Sequence, residues 1–394
     1  MKNSFLSKLT FWKGFAIIVL IIAAYAVFVR FTNGLGAATN LKDEFPWGLW
    51  IGFDILCGVG LAAGGFTLCG IVYIFNIKSF KPIIRPAVLT AFLGYLLVIA
   101  ALLIDLGRPY RIWHAIIMWN PKSVMFEVAW CVMLYTTVLA LEFSPAVFEK
   151  LKWNFPLKII KSITIPLVIL GVILSTLHQS SLGSLYLIVP NKLYAFWYSS
   201  LLPVFFFLSA LTIGFAMVII ESYLSSRAFN KQLELPLLIR LGQVIPILLL
   251  IQLVIKVIDF ADRGVFNLLL VPRTETYLFY IEMLFAIFIP MFMLFSKKIR
   301  YSRAGLFYAS LFAVLGFILN RMNVSITGME AGSGTTYTPH WMEYFITLGI
   351  VTLGFIAFSY AVKYLNVFEK SPEAEVTESP VVTSVKQLEI QVNK

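Results

Sequence analysis

Charge is scarce in this sequence. Of 394 residues only 13% are Asp, Glu, Lys or Arg, against 60% apolar and 15% aromatic, a mixture that cannot be arranged around the core of an ordinary soluble domain. Cysteine and histidine are scarcer still, at three each. Cys57, Cys69 and Cys131 lie inside apolar runs and form no CxxC pair, so neither a disulfide framework nor a zinc or iron–sulfur site is indicated, and they read as packing residues. Acidic residues number 20 against 31 basic ones, a net charge of +11. In a soluble chain that excess would suggest nucleic acid; here it stands in short loops between apolar runs, the pattern of membrane topology determinants, and no nucleic-acid function is read.

What the sequence has in abundance is long apolar segments. Residues 14–29 form a run that could be a signal peptide or a first membrane helix, and its length favours the helix. Nine more follow over residues 47–75, 86–105, 123–143, 160–178, 199–221, 239–260, 275–295, 304–320 and 341–362, each near the roughly 20 residues that span a bilayer. The expected fold is an all-α integral membrane protein of ten helices, with residues 1–13 before them and a flexible polar tail over 363–394. Gly60 and Gly64 in the second segment are spaced to let another backbone approach closely, a packing role. Counted on alternating sides, 21 lysines and arginines fall on the side of both termini and 9 on the other, with Lys256 inside a segment. Both termini are therefore expected in the cytoplasm.

In that orientation the chemistry-bearing residues collect on the outer, periplasm-like side. Asp105 and Arg108 stand at the exit of the third segment, Glu127 just inside the fourth, His178 at the exit of the fifth, and Asp259, Asp262 and Arg263 at that of the seventh. Glu282 lies in the outer half of the eighth, Asn320 and Arg321 end the ninth, and Asp54 sits about two turns into the second. Glu142 and Glu221 mark the opposite side. Charges at helix ends commonly just reach water, and Lys256 and Asp259, three residues apart, read as a neutralising pair on one helix face. Asp54, Glu127 and Glu282 have no opposite charge one turn away, which favours a function. Trp47, Trp50, Trp113, Trp119, Trp197 and Trp341 fall on the outer side as an aromatic belt, or in part as a seat for a partner beside Arg111 and His114.

A weak repeat supports this placement. The third segment ends LLIDLGR and the seventh KVIDFADRG; Glu127 follows Asp105 by 22 residues and Glu282 follows Asp259 by 23. Both sets start on one side, as in a parallel repeat of two four-helix bundles.

The runs TNLKDEFPWGLWIGFD (Thr39 to Asp54), IDLGRP (Ile104 to Pro109), FEVAWCVMLYTTVLALEFSPA (Phe126 to Ala146), LHQSSLGSLYL (Leu177 to Leu187) and NRMNVS (Asn320 to Ser325) closely resemble the NrfD/polysulfide reductase family. Within it they look most like the HybB-type membrane subunit of periplasmic nickel–iron hydrogenases. The resemblance implies two four-helix bundles plus flanking helices in the bacterial inner membrane, and a site for menaquinone or another quinone near the periplasmic face. It implies partners there: a ferredoxin-like iron–sulfur subunit and a catalytic, hydrogenase-like subunit. Subunits of this branch are often described as b-type cytochromes, but bis-histidine haem needs facing histidines. His114 and His340 in predicted loops and His178 provide no such pair, so neither haem nor an iron–sulfur cluster is expected in this chain.

Quinone reduction takes up two electrons and two protons, so a site must hold an apolar ring, hydrogen-bond its oxygens and deliver protons. His178, with Gln179, Ser180, Ser181 and Arg108, is assigned to quinone binding and proton exchange. Asp54, Asp105, Glu127, Asp259 and Glu282 are assigned to a proton relay, with Glu142 and Glu221 as cytoplasmic proton uptake. Membrane acids on two bundles also suit a proton or solute transporter, and a passive anchor for a redox enzyme is the blandest reading.

Overall fold

The computed structural model describes residues 10–45 and 47–368. Ten helices long and apolar enough to cross a membrane account for most of it: α1 (Phe11–Asn33), α2 (Trp50–Ile74), α3 (Lys78–Asp105), α4 (Val124–Leu151), α5 (Thr164–Ile188), α6 (Leu202–Ala228), α7 (Leu235–Arg263), α8 (Thr274–Phe295), α9 (Arg303–Ser333) and α10 (Trp341–Tyr364). Helix is the form such runs must take, because hydrocarbon offers no water to an unpaired peptide group. The protein is an all-α integral membrane protein. The expected tail over 363–394 lies outside the described residues from 369 onward.

Successive helices alternate in direction, so their ends define two faces. One carries Trp113, Trp119 and Trp341, and is called the tryptophan face; the other, with Lys78, Lys81, Lys150 and Lys152, is the lysine face. Helices α2 to α5 pack as one bundle and α6 to α9 as a second, while α1 pairs with α10 against α3. Of the ten, α2 is the most buried, since it touches α3 and α5 on one side and α6 and α9 on the other. Glycine permits this. A Cβ on Gly64 would stand 3.1 Å from the Gly214 carbonyl of α6, and one on Gly214 3.0 Å from the Ala63 carbonyl; the expected close approach at Gly64 is thus made by the crossing of α2 and α6.

Two spans run far past their expected ends. The fifth continues ten residues beyond His178 to Ile188, and the ninth thirteen beyond Asn320 to Ser333. The physical reason is the same in both. Their polar side chains find partners without unwinding the backbone: Ser181 Oγ donates to the Leu177 carbonyl at 2.7 Å, Ser184 Oγ to the Ser180 carbonyl at 3.3 Å, and Ser325 Oγ to the Arg321 carbonyl at 2.9 Å. His178 therefore sits roughly 15 Å below the end of its span, not at its mouth. Four helical stretches widen into π turns, among them Trp50–Cys57 around Asp54, Leu284–Phe288 just after Glu282, and Asn323–Thr327. Such turns frequently mark functional sites.

Candidate functional site: two buried polar clusters

The first polar cluster lies inside the α2–α5 bundle. His178 and Tyr95 are both fully buried, and the Tyr95 hydroxyl stands 2.8 Å from His178 Nδ1. Tyr95 in turn packs edge-to-face on Tyr135 of α4 at 4.7 Å between ring centroids. His178 Nε2 has no hydrogen-bond partner among the described residues, and an unpartnered buried nitrogen is costly unless something else meets it. Gln179 is turned away from this point, its amide donating to the Val59 carbonyl of α2 at 3.1 Å. Three residues on, buried Ser181 Oγ lies 2.6 Å from Glu127 Oε1 and shares its one hydrogen between that oxygen and the Leu177 carbonyl. Glu127 belongs to the first turn of α4 and is itself exposed, so the Ser181–Glu127 contact links the interior to the tryptophan face. Ser180 is half-buried.

Arg108 does not join this group. It is exposed in the loop after α3, and the cation beside Asp105 is instead Arg30 of α1. Buried Arg30 donates from Nε to the Ile104 carbonyl at 2.7 Å and from Nη2 to the Leu106 carbonyl at 2.6 Å, which closes the end of α3. Asp54 is separate again, buried in α2 with Thr347 of α10 donating to Oδ2 at 2.6 Å. Glu142 and Glu221 lie partly buried on the other half of the membrane-spanning region.

The second polar cluster surrounds a cavity in the α6–α9 bundle, walled by Phe205, Phe206 and Phe317 and bordered by Gln252, Lys256 and Glu282. Glu282 is 2% exposed and accepts from three side chains, one in the loop before α6 and two on α9: Trp197 Nε1 at 2.7 Å, Asn320 Nδ2 at 2.7 Å and Asn323 Nδ2 at 2.9 Å. Its charge partner is Lys256 of α7, at 4.0 Å. Lys256 is thus matched to Glu282 on the neighbouring helix, and the expected Lys256–Asp259 pair is not formed. Asp259 instead takes Arg263 Nε at 3.1 Å and Nη2 at 2.5 Å, and Ser199 Oγ at 2.6 Å. One turn along α7, an i to i+4 pair has simply displaced the i to i+3 one. Arg321, fully buried, donates to Asn320 Oδ1 and to Ser209 Oγ, both at 2.7 Å, and lies 3.6 Å over the Phe206 ring.

Relative to the first bundle the second repeats the acids one turn deeper. Asp105 ends α3, whereas Asp259 precedes the end of α7 by four residues; Glu127 is in the first turn of α4, whereas Glu282 is nine residues into α8. Trp197 and Trp50 are buried rather than interfacial, and Trp50 Nε1 donates to the Glu343 carbonyl at 3.3 Å. The other four tryptophans of the expected belt are partly or largely exposed.

A clamp of loops closes the tryptophan face. Buried Glu343 accepts from the Asn40 and His340 amides at 3.0 and 2.9 Å and from the Tyr337 hydroxyl, which itself accepts from the Leu49 amide at 2.9 Å. Burial and the adjoining Glu343 carboxylate push the Tyr337 phenol well above its ordinary range. His340 caps α10 and His114 opens a short helix in the loop after α3, so His178 alone of the three histidines lies within a span.

Comparison with known proteins fits this architecture. The family described as "Polysulphide reductase, NrfD" matches residues 37–331. A protein of Nitratidesulfovibrio vulgaris (Hildenborough) is 38% identical over 90% of this chain and 94% of its own length. The "Probable Ni/Fe-hydrogenase 2 b-type cytochrome subunit" of Escherichia coli K12 is 34% identical over 89% and 90%. The "Menaquinone reductase, integral membrane subunit" of N. vulgaris is 28% identical over 93% and 94%. The match reaches from the loop before α2 to the end of α9 and takes in both polar clusters, and this chain belongs to the NrfD family of polysulphide reductase membrane proteins.

Proposed function

We propose that this chain is the quinone-reacting membrane subunit of a redox complex, passing electrons between an iron–sulfur subunit docked on the tryptophan face and the menaquinone pool. The observation that carries the reading is His178: a fully buried imidazole with Nδ1 on a tyrosine hydroxyl and Nε2 open, three residues before a serine bonded to an exposed glutamate. The names of the relatives support the setting, since one is a menaquinone reductase subunit and another a hydrogenase subunit.

Quinone reduction consumes two protons with two electrons, and this chain's part is to bind, orient and supply protons. His178 Nε2 donates to one quinone oxygen when Tyr95 accepts none of the ring's protons; Tyr95 fixes which nitrogen carries the hydrogen. Ser181 and Glu127 return protons from the tryptophan face, with Asp54 and Asp105 as further relay groups on the same side. Ser180 borders the site, Gln179 serves it by tying α5 to α2 at the Val59 carbonyl, and Arg108, out in the loop, acts on approach of the headgroup rather than at its oxygens. In the second bundle Asp259 and Glu282 belong to the same relay assignment, with three N–H donors and Lys256 gathered around Glu282.

The exposed loop carrying Arg111, Trp113, His114 and Trp119 is the seat for a ferredoxin-like subunit, with a hydrogenase-like catalytic subunit beyond it. The lysine and arginine excess on the opposite face supports a periplasmic position for this one, with both termini in the cytoplasm of a bacterial inner membrane. A second function, proton transfer coupled to the redox step, is favoured by the line His178, Tyr95, Tyr135 and Glu142, in which Tyr135 and Glu142 are two turns apart on one face of α4. Glu142 and Glu221 are then the uptake groups on the lysine face.

The test is His178→Gln in the complex purified from membranes. Loss of quinone reduction with the iron–sulfur and catalytic subunits still co-purifying is expected; an unchanged rate would leave the chain a passive anchor, and a chain that purifies alone without bound quinone would favour transport.

A further inference from the structure

The connection between α4 and α5 on the lysine face takes no part in the redox reading, yet it is built as a specific surface. Helix α4 ends with Lys152 in the left-handed region, φ 58° and ψ 33°. The Trp153 amide returns to the Phe148 carbonyl at 3.0 Å and the Lys152 amide to that of Glu149 at 3.4 Å, and the Trp153 and Phe148 rings stack at 6.0 Å. These are the paired bonds and apolar contact of a Schellman ending, which aims the chain along the membrane surface. A helix of nine residues, Asn154–Ser162, follows.

Its three faces differ in chemistry. Ile160 is buried against the bundle; Phe155, Ile159 and Ile163 are exposed on the second face; Asn154, Lys158, Lys161 and Ser162 line an open groove on the third. An apolar stripe beside a lysine face is the build of a helix lying at the headgroup level. The stripe continues into α5, where Ile165, Ile169, Ile173 and Leu177 are 44 to 57% exposed at successive four-residue steps. Positive charge is in excess here. Lys150, Lys152 and Lys158 have no ion pair among the described residues, and the one nearby carboxylate, Glu149, is held by Arg85 at 2.9 Å with Lys161 at 3.9 Å.

We propose that this groove binds an anionic phospholipid of the adjoining leaflet, its phosphate on Lys158 and Lys161 with Asn154 donating, and an acyl chain along the Ile165 to Leu177 ridge. The two-part match selects the occupant. Free phosphate would use the lysines alone, and a choline headgroup would set a second cation against them.

The full-length chain in neutral detergent, titrated with phosphatidylglycerol or with phosphatidylcholine of the same acyl chains, is read by native mass spectrometry. Phosphatidylglycerol adducts are expected to form first and to resist inorganic phosphate. In K158Q/K161Q their affinity falls about 25-fold, at about fivefold per lysine, while K297Q/K298Q in the α8–α9 loop on the same face leaves it within twofold. Equal loss in the two variants would mean diffuse surface attraction and overturn the site. So would equal binding of phosphatidylcholine, or displacement by inorganic phosphate.

Discussion

Tyr95 and His178 stand 83 residues apart in sequence and 2.8 Å apart in space, and neither side chain reaches solvent. A neutral imidazole has one donor and one acceptor nitrogen, so whichever role Tyr95 gives Nδ1, the opposite one is left at Nε2. When the Tyr95 hydroxyl donates to Nδ1, Nε2 carries the hydrogen and is free to donate it. Tyr95 is thus a positioning residue for His178.

This makes two substitutions unequal. His178→Gln is expected to lower quinone reduction by the assembled complex about 100-fold or more, the range for a lost acid–base group. Tyr95→Phe keeps the imidazole and removes one buried hydrogen bond of about 1 kcal/mol, so the rate should drop only about fivefold. Its pH–rate profile should move as well, because the bond that fixes the His178 hydrogen is gone. Steady-state rates and pH profiles of both variants check this; equal losses in the two, or an unmoved profile in Tyr95→Phe, would contradict the positioning role.

Glu282 offers a test independent of turnover. Three N–H donors and an ammonium converge on it from Trp197, Asn320, Asn323 and Lys256. Glu282→Leu leaves all of them unanswered in a buried site, and a broken buried pair costs about 3 to 5 kcal/mol. Adding Lys256→Met removes the stranded charge and should restore part of that loss. Thermal unfolding in detergent measures both, and a double variant no more stable than Glu282→Leu would show that the pair is not coupled.

The sequence made the ten spans, the two-bundle repeat and the helix-crossing glycine legible, because apolar runs of bilayer length and small-residue spacing are local signals. Its errors came from polar residues. LHQSSLGS and NRMNVS look like helix exits, yet in each the polar groups are satisfied inside a continuing helix, and that depends on neighbours far along the chain. Tyr95 passed unnoticed in an apolar segment for the same reason, as did the burial of Trp197 against Glu282. Arg30 carried a signal that could have been used: it is an arginine near the end of an apolar run, and it is Arg30, not Arg108, that lies beside Asp105.

Packing at Gly183 should be unforgiving. A Cβ there would stand 2.6 Å from the Leu202 carbonyl oxygen and 2.8 Å from Pro203 Cα, and backbone cannot step aside as a flexible side chain can. Gly183→Ala must part α5 from α6 and is expected to cost about 1 to 3 kcal/mol as overpacking. Gly36, with nothing within 4 Å of its would-be Cβ, is the control, and Gly36→Ala should fall within about 0.5 kcal/mol of the parent. Denaturation of the two variants side by side decides whether the α5–α6 crossing is as close as described.

The loop clamp at Tyr337 has a pH dependence whose sign can be worked out. Burial and Glu343 raise the folded phenol above its ordinary value, and an unfolded tyrosine titrates near about 10. A group whose folded value is raised contributes stability fully below the unfolded value and loses it as pH climbs from there toward the folded one. The clamp should therefore hold across neutral pH and weaken only in the alkaline range above about 10. Tyr337→Phe removes the ionisation together with the bonds to Glu343 and the Leu49 amide, so the variant should be less stable at neutral pH and show a flatter alkaline limb. Unfolding midpoints measured from pH 7 upward for both proteins test it, and a parent whose alkaline limb is as flat as the variant's would exclude Tyr337 as the group responsible.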